Sequence, residues 1–309
     1  MHHGVIDCAG MPAFRVPGRS WRGQGVHGWP LAVNIGALHR STRMRAAMPT
    51  SISRSVSPHQ PRPQPNGSGE PAAAMPPLAT RIESVLLGEV RPFGPKGVPS
   101  GIDKQAVEFA VRVTAQGLAG DGQGDPRHHG GPEKAIHHYA FDHYPAWRRE
   151  LGTLSGQAAE VLARPGAFGE NVSSGGLTEA NVCIGDRFRL GRALVEVSQA
   201  RQPCWKLNHR FGYAGMARAV QQSLRTGWYY RVLEEGELSR GDSLVLVERP
   251  CPGWSLQRLL HVLYVERLDA GALAAMAALP SLAEGWRKLA RQRLERGEVE
   301  DMERRLAGG

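Results

Sequence analysis

The sequence predicts a β-barrel-rich α+β body followed by a small all-α C-terminal domain. Three observations carry this. Between residues 80 and 249, short segments rich in Val, Ile, Phe and Tyr are separated by glycine turns, with few long helical stretches among them. After Cys251-Pro252-Gly253 the apolar spacing becomes helical and stays so. Residues before 79 show neither period.

Residues 81–90 (RIESVLLGEV) and 106–113 (AVEFAVRV) are predicted strands, the second placing Val107, Phe109, Val111 and Val113 on one face. The stretch RPFGPKGVPSG between them supplies turns. A strand is predicted over 134–140 and a short helix over 142–151. Further strands follow at 186–190, 193–198, 227–233 and 243–247. A helix is predicted over 215–225, with Met216, Val220 and Leu224 on one stripe. In the tail, Leu256, Leu259, Leu260 and Leu263 form a stripe, and 269–279 is a small-residue helix ended by Pro280. Ser281 and Glu284 are spaced as a capping box opening a third helix with Leu282, Trp286 and Leu289. A last amphipathic turn runs through Val299, Met302 and Leu306. About sixty residues are too few for much core of their own, so the bundle is expected to dock on the barrel. The predicted divisions are 1–78, 79–249 and 253–307.

The net charge of +9 on 309 residues would suggest a nucleic-acid module if it were spread over the fold. It is not. Residues 1–74 hold eight arginines, no lysine and two acids, a net +6, which leaves +3 for the rest. That leader is rich in Pro, Gly, Ser and His, and 51–77 has the composition of a disordered, partly polyproline linker. It is read as a disordered leader or as sequence upstream of a true start at Met48 or Met75; its Arg- and Ser-rich composition also suits a transit peptide. The four cysteines are too scattered for a disulfide scaffold, a zinc ribbon or an iron–sulfur cluster, and a reducing, cytoplasmic setting is expected. No run of eighteen apolar residues is present, so no membrane-spanning helix is expected.

Three segments carry side chains that packing does not require. In 121–144 (DGQGDPRHHGGPEKAIHHYAFDHY), His129 stands beside Gly130 and Gly131, where backbone N–H groups can form an anion-binding nest. Five histidines here (His128, His129, His137, His138, His143) invite a zinc reading, but no helix-spaced His pair or Cys pair accompanies them. For each except His129, a satisfied structural role is the simpler account. In 166–179 (GAFGENVSSGGLTE), glycines frame Phe168, Gly169, Glu170 and Asn171, either a loop presenting polar groups to a ligand or a β-turn with Asn171 capping its own backbone. In 198–208 (SQARQPCWKLN), a strand runs into a Pro-Cys loop. Arg201 and Lys206 flank Cys204, and nearby cations favour the thiolate, the form that attacks electrophiles or binds a soft metal. A buried inert thiol is the commoner fate of a cysteine, and it is the expected one for Cys183 and Cys251.

Taken together and in this order, HGGPEKAIHHY (129–139), FGENVSSGGLTE (168–179), GDRFRLG (185–191) and SQARQPCWKL (198–207) resemble the MOSC family, named for the C-terminal domain of molybdenum cofactor sulfurase. The resemblance runs from about 79 to 249, and the tail looks like the three-helix domain of the bacterial branch that protects against hydroxylaminopurine and other N-hydroxylated base analogues. It implies a pyruvate-kinase-like barrel and the molybdenum cofactor (molybdopterin), with Cys204 as the protein's ligand to molybdenum. Arg201, Lys206, Asn208, Gly130, Gly131, Phe168, Gly169 and Asn171 would then bind the cofactor, and His129 or Glu170 would deliver a proton. The implied reaction is reduction of N–OH to N–H in a small-molecule substrate. The alternative is a sulfur carrier or cofactor-handling protein with a Cys204 persulfide. Pyridoxal phosphate is not expected, since neither an aminotransferase-like domain nor a Schiff-base lysine motif is visible. Without a dinucleotide fingerprint or clustered cysteines, electrons are expected from a separate flavin or iron–sulfur protein. The basic residues Arg287, Lys288, Arg291 and Arg293 offer such an acidic partner a surface, although a merely solvated basic face is as good a reading. No specific nucleic acid and no membrane partner are expected.

A chain starting at Met75 is expected to keep its thermal midpoint and activity nearly unchanged, because residues 1–74 lack a periodic apolar face. Loss of soluble protein on that truncation would show that the leader packs against the body.

Overall fold

Strand β1 (Ala79–Leu87) meets three other strands along its length, and this is what closes the sheet. The computed structural model describes residues 78–124, 130–151 and 156–308. After β1 come β2 (Arg91–Phe93), β3 (Val98–Ser100), β4 (Gln105–Val107), β5 (Val111–Thr114) and β6 (Gly117–Leu118). Then follow β7 (Ile136–Ala140), β8 (Val172–Ser174), β9 (Arg187–Leu190) and β10 (Ala193–Ala200). The last three are β11 (Trp228–Glu234), β12 (Gly236–Leu238) and β13 (Ser243–Glu248). Seven of them form a ring in the order β1-β13-β9-β10-β11-β7-β8 and back to β1. Every pairing in the ring is antiparallel except β7 with β8. Ring closure leaves no unpaired edge in the barrel, and β4 adds to the far end of β1.

The interior is filled by alternate side chains, among them Ile82, Val85, Ile136, Phe188, Val195, Val197 and Trp228. Two sequence expectations need correction here. The segment 106–113 is not one strand. Residues 105–107 pair with β1, whereas 111–114 leave the barrel to pair with β12 and β6 in a separate three-stranded sheet. Phe109 lies at the break and is 62% exposed, so it does not share a buried face with Val111 and Val113. The first strand also ends earlier than 90. Gly88 turns away, donating its N–H to Asp121 Oδ1 at 2.8 Å and accepting from Gly122 N at 2.6 Å.

Helices α1 (Tyr144–Leu151), α2 (Gly156–Val161), α3 (Lys206–Phe211) and α4 (Met216–Ser223) pack outside the barrel around a second apolar cluster. In it the Tyr139 and Phe168 rings stack 3.9 Å apart. The tail contains α5 (Leu256–His261), α6 (Ala270–Ala277), α7 (Glu284–Arg296) and α8 (Glu303–Ala307). Ser255 caps α5 by accepting from Arg258 N, and Asp269 caps α6 by accepting from Ala272 N. The capping box expected at Ser281 does not form. Ala283 is the N-cap of α7, while the Ser281 carbonyl accepts from Arg231 Nη2 of the barrel at 3.0 Å. Of the tail's expected basic face, Lys288 and Arg291 are exposed and Arg287 is half-buried, but Arg293 is not part of it. Arg293 is buried and paired with Glu300, and Arg287 and Arg291 both pair with Glu284. No helix among the described residues is long and apolar enough to cross a membrane.

The tail is not an independent body. One continuous core holds Val197 and Phe188 of the barrel together with Leu256, Leu260 and Trp286 of the tail, and Ala283 N donates to Ser198 O at 2.9 Å. Leu260→Ala is therefore expected to cost ~2–5 kcal/mol, as for other buried leucines, and to lower one shared thermal transition in calorimetry. Two separated transitions, with only the weaker moved, would contradict a shared core.

Candidate functional site

The β10–β11 ladder ends with Ala200 opposite Trp228, and there the Arg201 N–H donates to the Gly227 carbonyl at 2.9 Å. Past this point the chain leaves the barrel wall and makes the loop that carries Cys204. The neighbouring pair Tyr229 and His137, in register across β11 and β7, faces the same end, with ring centroids 4.9 Å apart. Loops 100–104, 121–124 and 168–171 complete a cavity of about 80 Å³. That is well above the ~10–15 Å³ a single water needs, and leaves room for a few waters or a metal with small ligands.

Six of the residues singled out from sequence line this cavity: Cys204, Arg201, Lys206, Phe168, Gly169 and Asn171. Cys204 is 6% exposed. Arg201 is buried, and its Nη1 has no hydrogen-bond partner. Lys206 Nζ donates to the Pro99 carbonyl at 3.2 Å. Gly169 sits at φ 74°, where a Cβ would lie 2.8 Å from the Ile102 side chain, so the loop's close approach needs glycine.

Other expectations are corrected. Glu170 does not reach the cavity: its carboxylate is fully buried on the opposite side of the loop, accepting from the Tyr144 hydroxyl, from Gly166 N at 2.7 Å and from Phe168 N at 3.0 Å. Asn208 faces away as well, donating to Leu306 O and accepting from Ala217 N, each at 2.7 Å. Gly130 and Gly131 do not line the cavity, and the Gly131 N–H is taken by Gln123 Oε1 at 3.1 Å. His129 lies outside the described residues. His138 has the satisfied role expected of it, between the Tyr230 hydroxyl and Ser174 Oγ at 3.0 Å each, and burial pushes its ring down to about 3.

The sequence reading missed Lys104, Asp121, Lys134, His137 and Tyr229 as lining residues. Lys104 and Asp121 form a buried ion pair. Burial draws the Lys104 ammonium below its ordinary range, opposed by the Asp121 charge. Asp121 also accepts from Asn171 Nδ2 at 2.8 Å, and Asn171 Oδ1 accepts from His137 N at 3.1 Å, so one polar chain braces three walls. His137 is held well below its usual value, first by burial and then by the Arg201 charge, so its ring is neutral. Its Nε2 has no partner. Burial raises the Tyr229 hydroxyl and holds it protonated, opposed by the neighbouring Arg201 charge.

The chemical character follows. Four basic side chains, Lys104, Lys134, Arg201 and Lys206, meet one carboxylate, Asp121. The cavity therefore favours an anion, and its single thiol is a soft donor. Among the described residues no group of three or more His, Cys, Asp or Glu side chains could hold a metal ion. A metal at Cys204 would have to arrive with ligands of its own.

The fold and cavity define a class, barrel proteins with one cysteine in a cavity lined by several basic residues, and comparison with known proteins narrows it. The MOSC domain matches residues 125–245, and the YiiM-like, 3-alpha helix domain matches 254–297. The protein YiiM of Escherichia coli is 37% identical over 224 residues, covering 72% of this chain and 97% of that protein. Its crystal structure superposes with a TM-score of 0.61 at 32% identity, covering 75% of this chain and all of that one (100%). The uncharacterized protein YflK of Bacillus subtilis is 43% identical over 195 residues, 62% of this chain and 83% of that one. A protein of Gibberella moniliformis named a reductase is 38% identical over 201 residues, 64% of this chain but 34% of its own length. This chain belongs to the MOSC family, in the branch with the YiiM-like three-helix domain.

Glu170→Gln tests the corrected role of that residue. An amide cannot accept at both ends, so one buried donor loses its partner, at ~1–3 kcal/mol. The thermal midpoint should fall while ligand binding in the cavity is kept. Unchanged stability with lost binding would return Glu170 to the site.

Proposed function

We propose that the protein is a molybdenum-cofactor-dependent reductase that converts N-hydroxylated bases or related compounds to the corresponding N–H forms. The observation that carries this reading is the cavity itself, a single thiol beside a buried guanidinium nitrogen with no partner, within a surplus of cations. Those residues fit the cofactor, an anionic group carrying a soft metal. The size fits its reacting end, and the bulk of a pterin would have to extend beyond the 80 Å³ through the cavity's open side. The name of the Gibberella relative supports reductase chemistry.

When bound, the molybdenum group supplies the two-electron chemistry. Cys204 contributes the thiolate ligand. Arg201, Lys206 and Lys134 hold anionic oxygen atoms of the cofactor. The neutral His137 accepts a hydrogen bond at Nε2. Reduction of R–NH–OH to R–NH₂ and water takes two electrons and two protons. With Glu170 turned away, the donors in the described wall are the Lys104 ammonium, made more acidic by burial, and the Tyr229 hydroxyl; His129 remains a candidate. Electrons come from a separate flavin or iron–sulfur protein in the cytoplasm.

The test is metal content together with reduction of a hydroxylaminopurine by protein purified from a cofactor-competent host. Cys204→Ser should lose most molybdenum and all activity, and Cys183→Ser should keep both. NADH or NADPH alone should give no turnover, and an artificial reductant should restore it. A Cys204→Ser protein with full metal and normal turnover would sink the proposal, and a Cys204 persulfide without metal would favour a sulfur carrier.

A further inference from the structure

The hold on the cysteine loop comes from the far end of the chain. Helix α8 lies beyond the 254–297 stretch matched by the three-helix domain, and of its side chains only Leu306 is buried. A five-residue helix has almost no stability of its own, so its contacts decide where it sits. Those contacts converge on Cys204 from both sides. Before the cysteine, the Pro203 carbonyl accepts from the Arg305 guanidinium. After it, the Trp205 N–H donates to the Arg305 carbonyl at 2.8 Å. One turn on, Asn208 Nδ2 reaches the Leu306 carbonyl at 2.7 Å. Arg305 Nη2 is itself braced by Gln221 Oε1 of α4 at 2.7 Å, and Arg218 of the same helix pairs with Glu303 at 2.7 Å. Gly308 backs onto the Trp205 ring, where a Cβ would sit 3.1 Å from Cγ.

We infer that α8 is a latch that positions Cys204, with Arg305 as its central positioning residue. Arg305 fits this task because its planar fork satisfies two acceptors at once, Pro203 O and Gln221 Oε1, while its own carbonyl takes the Trp205 N–H. The peptide groups on either side of the cysteine are thereby tied to one residue. Without the latch, the Pro203 carbonyl loses that donor and the loop opens more often, exposing a thiol that is otherwise 6% accessible. This holds whether or not the cavity takes a molybdenum group.

The test is the alkylation rate of Cys204 by iodoacetamide at one fixed pH, with Cys183 as internal reference, each followed by peptide mapping. Full-length protein from a host unable to make the cofactor is used, so the result does not depend on the proposed activity. Cys183 is a suitable reference because it is 3% exposed and burial, with Asp186 nearby, pushes its thiol up to about 11. Arg305→Ala should raise the Cys204 rate about tenfold, the local opening that one lost net hydrogen bond permits, and leave Cys183 within about twofold. Arg305→Lys, able to reach one acceptor, should fall between. Should Arg305→Ala not fold, Gln221→Ala, which unbraces the same guanidinium, is read by the same criteria. An unchanged Cys204 rate, or equal acceleration of both thiols, would overturn the latch.

Discussion

The antiparallel ladder between β10 and β11 is the constraint on which the rest depends. It runs from Leu194 opposite Glu234 to Ala200 opposite Trp228, and its end fixes where the barrel opens. Arg201 emerges from one strand, while Tyr229 stands on the other with His137 as its register partner on β7. Residues 28 positions apart or more are brought to one rim by backbone pairing alone. The cysteine loop begins where that pairing ends, so the thiol is placed by the sheet before its own neighbours act.

Charge then gives the cavity its character. Burying cations without partners is expensive, and the fold answers this for Lys104 with Asp121, which is braced in turn by Gly88 N and Asn171. Arg201 Nη1 is left without a partner, as is His137 Nε2. A ligand that offers an anionic acceptor to one and a hydrogen-bond donor to the other would relieve both.

The fold class was legible because its signals are local and repeated: glycine-punctuated strands in the body and the leucine spacing of the tail. The places where reading failed have identifiable causes. Phe109 continues the alternation of Val107 and Val111, yet the chain changes sheets there, which no local pattern records. Ser281 has the spacing of a cap, but its carbonyl is taken by Arg231, 50 residues away. Helix α3 is too short, at 6 residues, to show a period. In the site, motif segments pointed to loops that line the cavity and not always to the side chains that line it. Gly169 and Asn171 line the cavity while Glu170 between them turns inward, and Lys206 lines it while Asn208 turns to the tail. Lys104, Asp121 and Tyr229 were illegible because each reaches the cavity only through tertiary pairing.

The central claim is that Cys204 is the protein's bond to a metal-bearing anionic group. X-ray absorption at the molybdenum edge on the loaded protein and on Cys204→Ser measures this directly, by counting sulfur ligands. The account predicts one sulfur fewer in the variant, in whatever fraction of it retains metal. The same sulfur count in both proteins would contradict it.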